Sequence, residues 1–288
     1  MKTTPGQRVF GFFNVIFMLL LMLITLYPFL YILFASFSSA SQFMAHEGIL
    51  WHPVGFTLSA YKIVFQNKQI ITGFCNTLLV LLTKLCLSMV LTIIGAYFLT
   101  RKNALLVPFF TIMIVFTMFF DCGLIPRYLN VKSMHLDNSL LALIIPSALT
   151  TYNLIILRTA FAGIPPSMEE AAIVDGANRV VTLAQILVPL VVPTIMVCVL
   201  YYAVDTWNAW FDAMIYLRKE NLYPLQLVLR EILIRNSTQG MTPGTDTETL
   251  AETIQYAVMM VATLPILLVY PFLQKYFVKG VMIGSVKE

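Results

Sequence analysis

Long apolar stretches separated by short polar segments dominate the pattern along the chain. Crossing the hydrocarbon core of a bilayer takes roughly 20 predominantly apolar residues in one helix. Six stretches meet or approach that length, at residues 10–37, 76–100, 105–120, 140–157, 190–207 and 254–272. The first is longer than the apolar core of a signal peptide, so we read it as an uncleaved anchor. The pattern predicts an all-α polytopic membrane protein with six transmembrane helices.

The composition supports a membrane protein and excludes several other classes. Of the 288 residues, 59% are apolar and 11% are charged, whereas soluble domains carry about 25% charged residues. The 18 Lys and Arg residues are scattered rather than clustered, so no nucleic acid partner is expected. Four cysteines without a C-x-x-C pair predict packing residues rather than a metal site: Cys75, Cys86, Cys122 and Cys198.

Basic residues near the ends of the spans predict the orientation of the chain. With the N-terminus inside, nine Lys and Arg residues fall on the inner segments and eight on the outer ones. The inner segments are shorter, at about 60 residues against about 100, so their basic density is higher and both termini are predicted to be cytoplasmic. The outer segments contain an amphipathic run at 56–71 and a helical pattern at 225–234, followed by a polar, turn-rich stretch.

The inner segment at residues 158–189 carries the clearest local signals. Ser167 followed by Glu170 has the spacing of a capping box and predicts a helix start. Gly176 should end that short helix, because glycine readily adopts the left-handed conformation beyond a helix end. A second helix is predicted to begin near Asn178. Such a stiff, polar projection is either an ordinary connection between spans or an element that transmits force to a soluble partner.

The residues of this segment resemble a known motif. Their order and spacing are similar to the EAA loop of binding-protein-dependent ABC importer permeases, on Glu170, Ala171, Ala172, Gly176, Ile186 and Pro189. Three further segments resemble the carbohydrate-uptake branch, of the maltose-transporter type: residues 123–126, 152–153 and 207–208. The closing run at 274–285 resembles the subgroup that imports complex, often acidic, oligosaccharides.

The resemblance implies a type I ABC importer permease fold in the bacterial inner membrane. The expected partners are a second homologous permease, two ATPase subunits, an extracellular solute-binding lipoprotein, an oligosaccharide and the lipid bilayer. The ATPases would bind ATP and Mg²⁺, and this chain, which has no phosphate-binding loop, would be a pore subunit without catalysis or a cofactor. We divide the chain into an anchor and first outer loop (1–75), a permease core (76–273) and a cytoplasmic tail (274–288). The resemblance places ATPase coupling on Glu169, Glu170, Ala171, Ala172, Asp175, Gly176 and Pro189.

The candidate substrate pathway is a cluster of aromatic and polar residues near the end of the fifth predicted span. Sugars are bound by aromatic faces and by planar or charged hydrogen-bonding groups, although an interfacial aromatic belt is an alternative explanation. We assign the pathway to Lys84, Asn153, Tyr201, Asp205, Trp207, Asn208, Trp210 and Asp212.

Lys84 lies within the second predicted span, where a charge is costly and usually functional. At 1.5 Å per residue, Lys84 and Asp205 both fall roughly 22 Å above the inner boundary, so they can pair. Alternatively, Lys84 extends toward the interface or attracts an acidic sugar.

Two rival functions stay open from the sequence. The EAA loop is shared by importers of different solutes, so a permease for a non-sugar solute is the first rival. The second is a multi-span membrane enzyme or a non-transporting assembly protein. An enzyme would be expected to bring acids, histidines or a metal cluster together within its spans, and the sequence pattern suggests no such cluster.

Overall fold

The structure is a computed structural model that describes residues 5–101, 106–239, 253–268 and 271. Its described part is helical and contains no β-strand, in agreement with the predicted all-α class. The α-helices are α1 (Pro5–Ser36), α2 (Ala40–Met44), α3 (Ser59–Gln66), α4 (Lys68–Leu99), α5 (Val107–Phe119), α6 (Leu124–Ser133), α7 (Leu141–Ile144), α8 (Thr151–Ala162), α9 (Pro166–Val174), α10 (Arg179–Val181), α11 (Val188–Leu190), α12 (Val192–Asn208), α13 (Phe211–Tyr216), α14 (Leu225–Gln239) and α15 (Thr253–Leu268). A π-helical turn at Thr182–Leu187 joins α10 to α11, and a 3₁₀ turn lies at Glu220–Leu222.

Among the described residues, two helices are long and apolar enough to cross a membrane by themselves, namely Phe10–Ser36 within α1 and Lys68–Leu99. Two further apolar pairs are bent at a short break. The bend between α5 and α6 is 119°, and that between Arg179–Leu190 and α12 is 84°. Helix α15 is apolar but shorter, and the predicted sixth span continues beyond it outside the described residues, as does the predicted cytoplasmic tail. The count of six spans and the positions of the termini therefore stay predictions.

The second predicted span is longer than its apolar pattern indicated. We placed its start at residue 76, but α4 begins at Lys68. The amphipathic run at 56–71 is divided at Asn67, whose extended backbone ends α3. Its side-chain Oδ1 then accepts the backbone N–H of Gln69 at 2.9 Å, which satisfies one of the free donors of the next helix. A single asparagine thus ends one helix and caps the next.

The fourth predicted span, at 140–157, is not one continuous helix. It divides into α7 and α8, and Pro146 lies between them. Proline lacks the N–H that would bond to the carbonyl four residues earlier, and its ring clashes with that carbonyl, so a helix stops before it. Helix α8 then continues to Ala162, five residues past the predicted end.

The described residues fall into two compact units. The first unit comprises the described residues within 5–70 and 229–264. The second unit comprises the described residues within 71–228, together with the few described residues after 264. The core of the first unit consists of Ala35, Phe43 and Leu50, with Tyr31 and Tyr256 packed edge-on around Phe43. All candidate site residues belong to the second unit.

The core of the second unit lies where α4, α8 and α12 meet. Its buried side chains include Ala96, Leu154, Leu157 and Cys198. The Leu154 side chain of α8 packs directly against Gly95 of α4, because a Cβ at residue 95 would lie only 2.9 Å from Leu154 Cδ1. Of the four cysteines, Cys198 alone is buried. The packing prediction is therefore wrong for the other three, since Cys75 and Cys86 lie at exposed positions of α4 and Cys122 is exposed in the break between α5 and α6.

One face of α4 is buried along most of its length and is unexpectedly polar. Residues four apart follow one another on this face, and each is 3% exposed or less: Lys84, Ser88, Thr92 and Ala96. Thr92 shares a 2.8 Å hydrogen bond with the hydroxyl of Tyr202 on α12, and that hydroxyl also accepts the N–H of Thr150 at 3.2 Å. The polar face thus attaches α4 to α12 and to the residue that precedes α8.

Candidate functional site

The projection at residues 158–189 contains the short helix that the sequence predicted, but it begins differently. Helix α9 starts at Pro166 with Pro165 as its N-cap, and Ser167 lies inside the helix. The predicted capping box is therefore wrong. Proline at the first helical position has its φ preset for a helix and no N–H that needs an acceptor, so Pro166 starts the helix without a side-chain cap.

The end of α9 and the start of the next helix are confirmed. Gly176 has φ +79°, and its N–H bonds to the carbonyl of Ile173 at 3.0 Å. The N–H of Ala177 bonds to the carbonyl of Ala172 at 2.9 Å, which completes a Schellman motif. Asn178 then caps the following helix, since its Oδ1 accepts the N–H of Val181 at 2.9 Å. Two successive caps make the projection stiff.

Helix α9 has an outward and an inward face. Glu170 and Val174 are four residues apart and both exposed, and 85% of Val174 is accessible to solvent. Ile173 beside them is 60% exposed. On the other face Ala172 is only 4% exposed, and α9 packs against the π-helical turn. The remaining predicted coupling residues Ala171, Asp175, Gly176 and Pro189 are all exposed.

Glu169 turns inward, unlike its neighbour Glu170. Its carboxylate forms an ion pair with Arg101, just beyond the end of α4, and accepts a 3.4 Å hydrogen bond from the hydroxyl of Tyr97. The Arg101 guanidinium in turn lies 4.0 Å from the centre of the Tyr97 ring. We name the ion pair of Arg101 and Glu169 the Arg101 pair. No local sequence pattern predicts it, because the two residues are 68 positions apart.

The predicted pairing within the spans is present. Lys84 Nζ of α4 lies 3.7 Å from Asp205 Oδ2 of α12. The two side chains differ in exposure, since that of Lys84 is 4% exposed and that of Asp205 is 70% exposed. We name this ion pair the Lys84 pair. The prediction that both charges lie at the same depth, which was based on the helical rise, is therefore confirmed.

A cavity of about 100 Å³ opens beside the Lys84 pair. Its wall combines the two paired side chains with hydroxyl groups and a second carboxylate, that of Asp212 on α13. The hydroxyl groups come from Thr77, Ser147 and Thr206. Such a wall offers donors and acceptors to a hydroxylated solute. One lysine and two aspartates give it a formal charge of −1, because Asp205 already compensates Lys84.

Other predicted pathway residues divide between an adjacent groove and the protein interior. Tyr201 and Asn208 line an open groove together with Asp205, and Tyr201 packs edge-on against Tyr152 at 5.6 Å. Trp207 is only 5% exposed and contacts Phe74. The structure does not bring Asn153, Trp207 or Trp210 to the wall of the cavity or of this groove.

Asn153 is 3% exposed, and its Oδ1 has no hydrogen-bond partner among the described residues. Trp210 is half-buried and packs against Phe211. The pathway roles of these two residues and of Trp207 stay predictions.

The break between α5 and α6 is stabilised by contacts that the sequence analysis did not identify. Asp121 Oδ1 accepts the backbone N–H of Gly123 at 3.2 Å, and Arg127 donates to Asp121 Oδ2 at 2.8 Å. Both contacts hold the pKa of the Asp121 carboxyl below its ordinary value, and the hydrogen bond from the Gly123 amide has the larger effect. Asp121 therefore remains ionised at neutral pH and keeps α6 turned across the end of α5.

Comparison with known proteins gives a consistent result along the whole chain. The model of the family described as binding-protein-dependent transport system inner membrane component matches residues 103–283. The chain is 38% identical to the polygalacturonan/rhamnogalacturonan transport system permease protein YtcP of Bacillus subtilis, over 98% of this chain and 99% of that protein. It is 36% identical to Protein LplC of the same organism, over 100% of this chain and 98% of that one.

A solved structure agrees. The fold matches a chain of a bacterial ABC transporter involved in the import of the acidic polysaccharide alginate, with a TM-score of 0.86 and 31% identity. The match covers 96% of this chain and 99% of that one. The resemblance drawn from the EAA residues is thereby confirmed. The chain belongs to the family of inner membrane components of binding-protein-dependent transport systems, and it is an ABC importer permease.

Proposed function

We propose that this chain forms half of a transmembrane pathway for an oligosaccharide, and that a second homologous permease forms the other half. An extracellular solute-binding lipoprotein delivers the substrate. The observation that carries this proposal is the similarity over 98% of the chain to a permease for polygalacturonan and rhamnogalacturonan. The cavity beside the Lys84 pair combines hydroxyl and charged groups with apolar side chains such as Val80 and Leu143, a mixture that suits the hydroxyls and CH faces of a sugar.

Coupling to two ATPase subunits is assigned to α9. The helix is stiffened by the caps around Gly176 and presents Glu170 and Val174 outward on one side. A carboxylate next to an exposed apolar residue suits a groove that contains a basic side chain. ATP and Mg²⁺ bind to the ATPases, and this chain supplies only the surface that they move.

Reconstitution tests the proposed substrate. The permease is assembled in proteoliposomes with a homologous second permease, two ATPase subunits and a solute-binding lipoprotein. Uptake is then measured for oligogalacturonides, neutral oligosaccharides and an amino acid mixture. We expect ATP-dependent uptake of oligosaccharides that also requires the binding protein. Uptake of amino acids without any oligosaccharide would support the rival importer of a non-sugar solute, and uptake without ATP would contradict the ABC mechanism.

The proposal also requires α9 and both termini to be cytoplasmic. Val174→Cys, in a background whose four native cysteines are replaced by serine, places one thiol at the exposed tip of α9. A membrane-impermeant maleimide should label it in inside-out vesicles and leave it unlabelled in intact cells. Labelling from outside intact cells would overturn the orientation and the coupling role together. Trp51→Cys is the matched control with the opposite labelling pattern, because Trp51 is 70% exposed and lies in the first predicted outer segment.

A further inference from the structure

The contacts around Arg101 separate the two neighbouring glutamates of α9. Glu170 faces outward and makes no ion pair within the described part of the chain, whereas Glu169 is bonded to Arg101 and Tyr97. In both members of the Arg101 pair about a quarter of the side chain is exposed, at 28% and 23%, so water screens the ion pair only in part. Both contacts are made to the same oxygen, Glu169 Oε1, and they fix the direction in which the carboxylate points.

The end of α4 is built to hold Arg101 in place. The N–H of Thr100 bonds to the carbonyl of Tyr97, and the N–H of Arg101 bonds to the carbonyl of Phe98. These two bonds form a tight 3₁₀-type turn at the end of α4. The Arg101 guanidinium lies over the Tyr97 ring, so cation–π attraction adds to the attraction of the ion pair. A second arginine, Arg158 of α8, donates to the carbonyl of Leu99 at 3.3 Å and holds the same end of α4.

We propose that Arg101 and Tyr97, by binding Glu169, fix α9 to the end of α4, so that Glu169 is a positioning residue inside this chain and not a contact to the ATPase. The inference rests on the proposed function, since it explains how movement of α9 reaches the substrate pathway. Arg101 lies 17 residues beyond Lys84, and a helix of that length spans about 25 Å. A displacement of α9 by the ATPase therefore pulls on the same helix that forms one side of the cavity.

Two measurements on the assembled importer test this assignment. Amide hydrogen exchange of α9, followed by mass spectrometry, reports how firmly the helix is held. Uptake per ATP hydrolysed reports the coupling. In Glu169→Gln we expect exchange of α9 to accelerate and uptake per ATP to fall, each roughly fivefold, because a charge-assisted bond is lost. Tyr97→Leu, which removes the ring under Arg101, should change both measurements in the same direction.

The control is the adjacent carboxylate. Glu170→Gln should lower uptake while exchange of α9 stays within about twofold of the wild type, because Glu170 makes no ion pair within the described chain. Arg101→Gln should change both measurements as Glu169→Gln does, and the double variant Arg101→Gln with Glu169→Gln should change neither much further, because each single substitution already removes the same ion pair.

Unchanged exchange and unchanged uptake per ATP in Glu169→Gln would overturn the assignment, as would fully additive effects in the double variant. If the wild-type complex transports no oligosaccharide, the proposed function fails, but the exchange experiment still decides whether Arg101 holds α9.

Discussion

Two ion pairs attach α4 to the rest of the second unit, and they differ in how their charges are exposed. In the Arg101 pair both side chains are partly exposed, and a tyrosine hydroxyl and ring support them. In the Lys84 pair the cation is 4% exposed and the anion 70% exposed. A buried lysine cannot move far, but an exposed aspartate can rotate into water at little cost. The Arg101 pair is therefore suited to transmitting position, and the Lys84 pair to exchanging its partner.

The largest expected effect concerns the outward glutamate beside the Arg101 pair. In Glu170→Ala we expect uptake to fall about tenfold or more, because the variant would lose the charge-assisted contact that we propose with the ATPase. ATP hydrolysis should persist and become uncoupled from uptake, and the subunits should still co-purify. Glu170→Asp, which keeps the charge, is the control and should retain a large part of the activity. Wild-type uptake in the alanine variant would remove Glu170 from the coupling surface and weaken the contrast with Glu169.

A smaller effect is expected from the Lys84 pair, measured as the ratio of uronic to neutral oligosaccharide uptake. The cavity wall carries Lys84, Asp205 and Asp212, for a formal charge of −1. Lys84→Met changes this to −2 and should lower the ratio roughly fivefold, because an anionic sugar is repelled more than a neutral one. Asp205→Asn brings the charge to zero and should raise the ratio.

The double variant is the control for that series. Lys84→Met with Asp205→Asn restores a charge of −1 and should restore the wild-type ratio, even if total uptake is reduced. Equal loss of both sugars in Lys84→Met would mean that the charge of the cavity does not select the substrate. The Lys84 pair would then act in structure alone, as a second fixed attachment of α4.

The two regions also differ in how far the sequence could predict them. The end of α9 at Gly176 and the cap at Asn178 follow from local rules, because each residue acts on backbone groups within a few positions. Lys84 and Asp205 could be placed at one depth because the helical rise is constant. Glu169 could not be assigned to Arg101, since that contact depends on how α9 packs against α4, and no short-range pattern encodes it.

The differences between the predicted and the observed helices also have local causes. A capping box was predicted at Ser167, but the proline before it already provides a helix start. The fourth span was predicted as continuous because its residues are uniformly apolar, although Pro146 interrupts it. The apolar pattern identifies the segments that can lie in the membrane, whereas prolines, asparagines and glycines decide where each helix begins and ends.

The smallest expected effect concerns the stretch of α4 between the two pairs. Thr92 and Tyr202 are almost fully buried and share a hydrogen bond that joins α4 to α12. Thr92→Val keeps the shape but removes the hydroxyl, and we expect it to destabilise the folded state by about 1 kcal/mol. The midpoint of thermal unfolding in detergent should fall by a few degrees, and uptake per ATP should also fall if α4 carries movement as one body.

Thr83→Val is the matched control, because Thr83 is exposed and its hydroxyl bonds only to carbonyls of its own helix, those of Leu79 and Val80. It should leave both the unfolding midpoint and uptake per ATP unchanged. A Thr92→Val variant that loses stability but keeps wild-type uptake per ATP would show that the attachment to α12 is structural only. Movement of α9 would then have to reach the cavity through α8 or α12, and the Arg101 pair would lose its connection to the Lys84 pair.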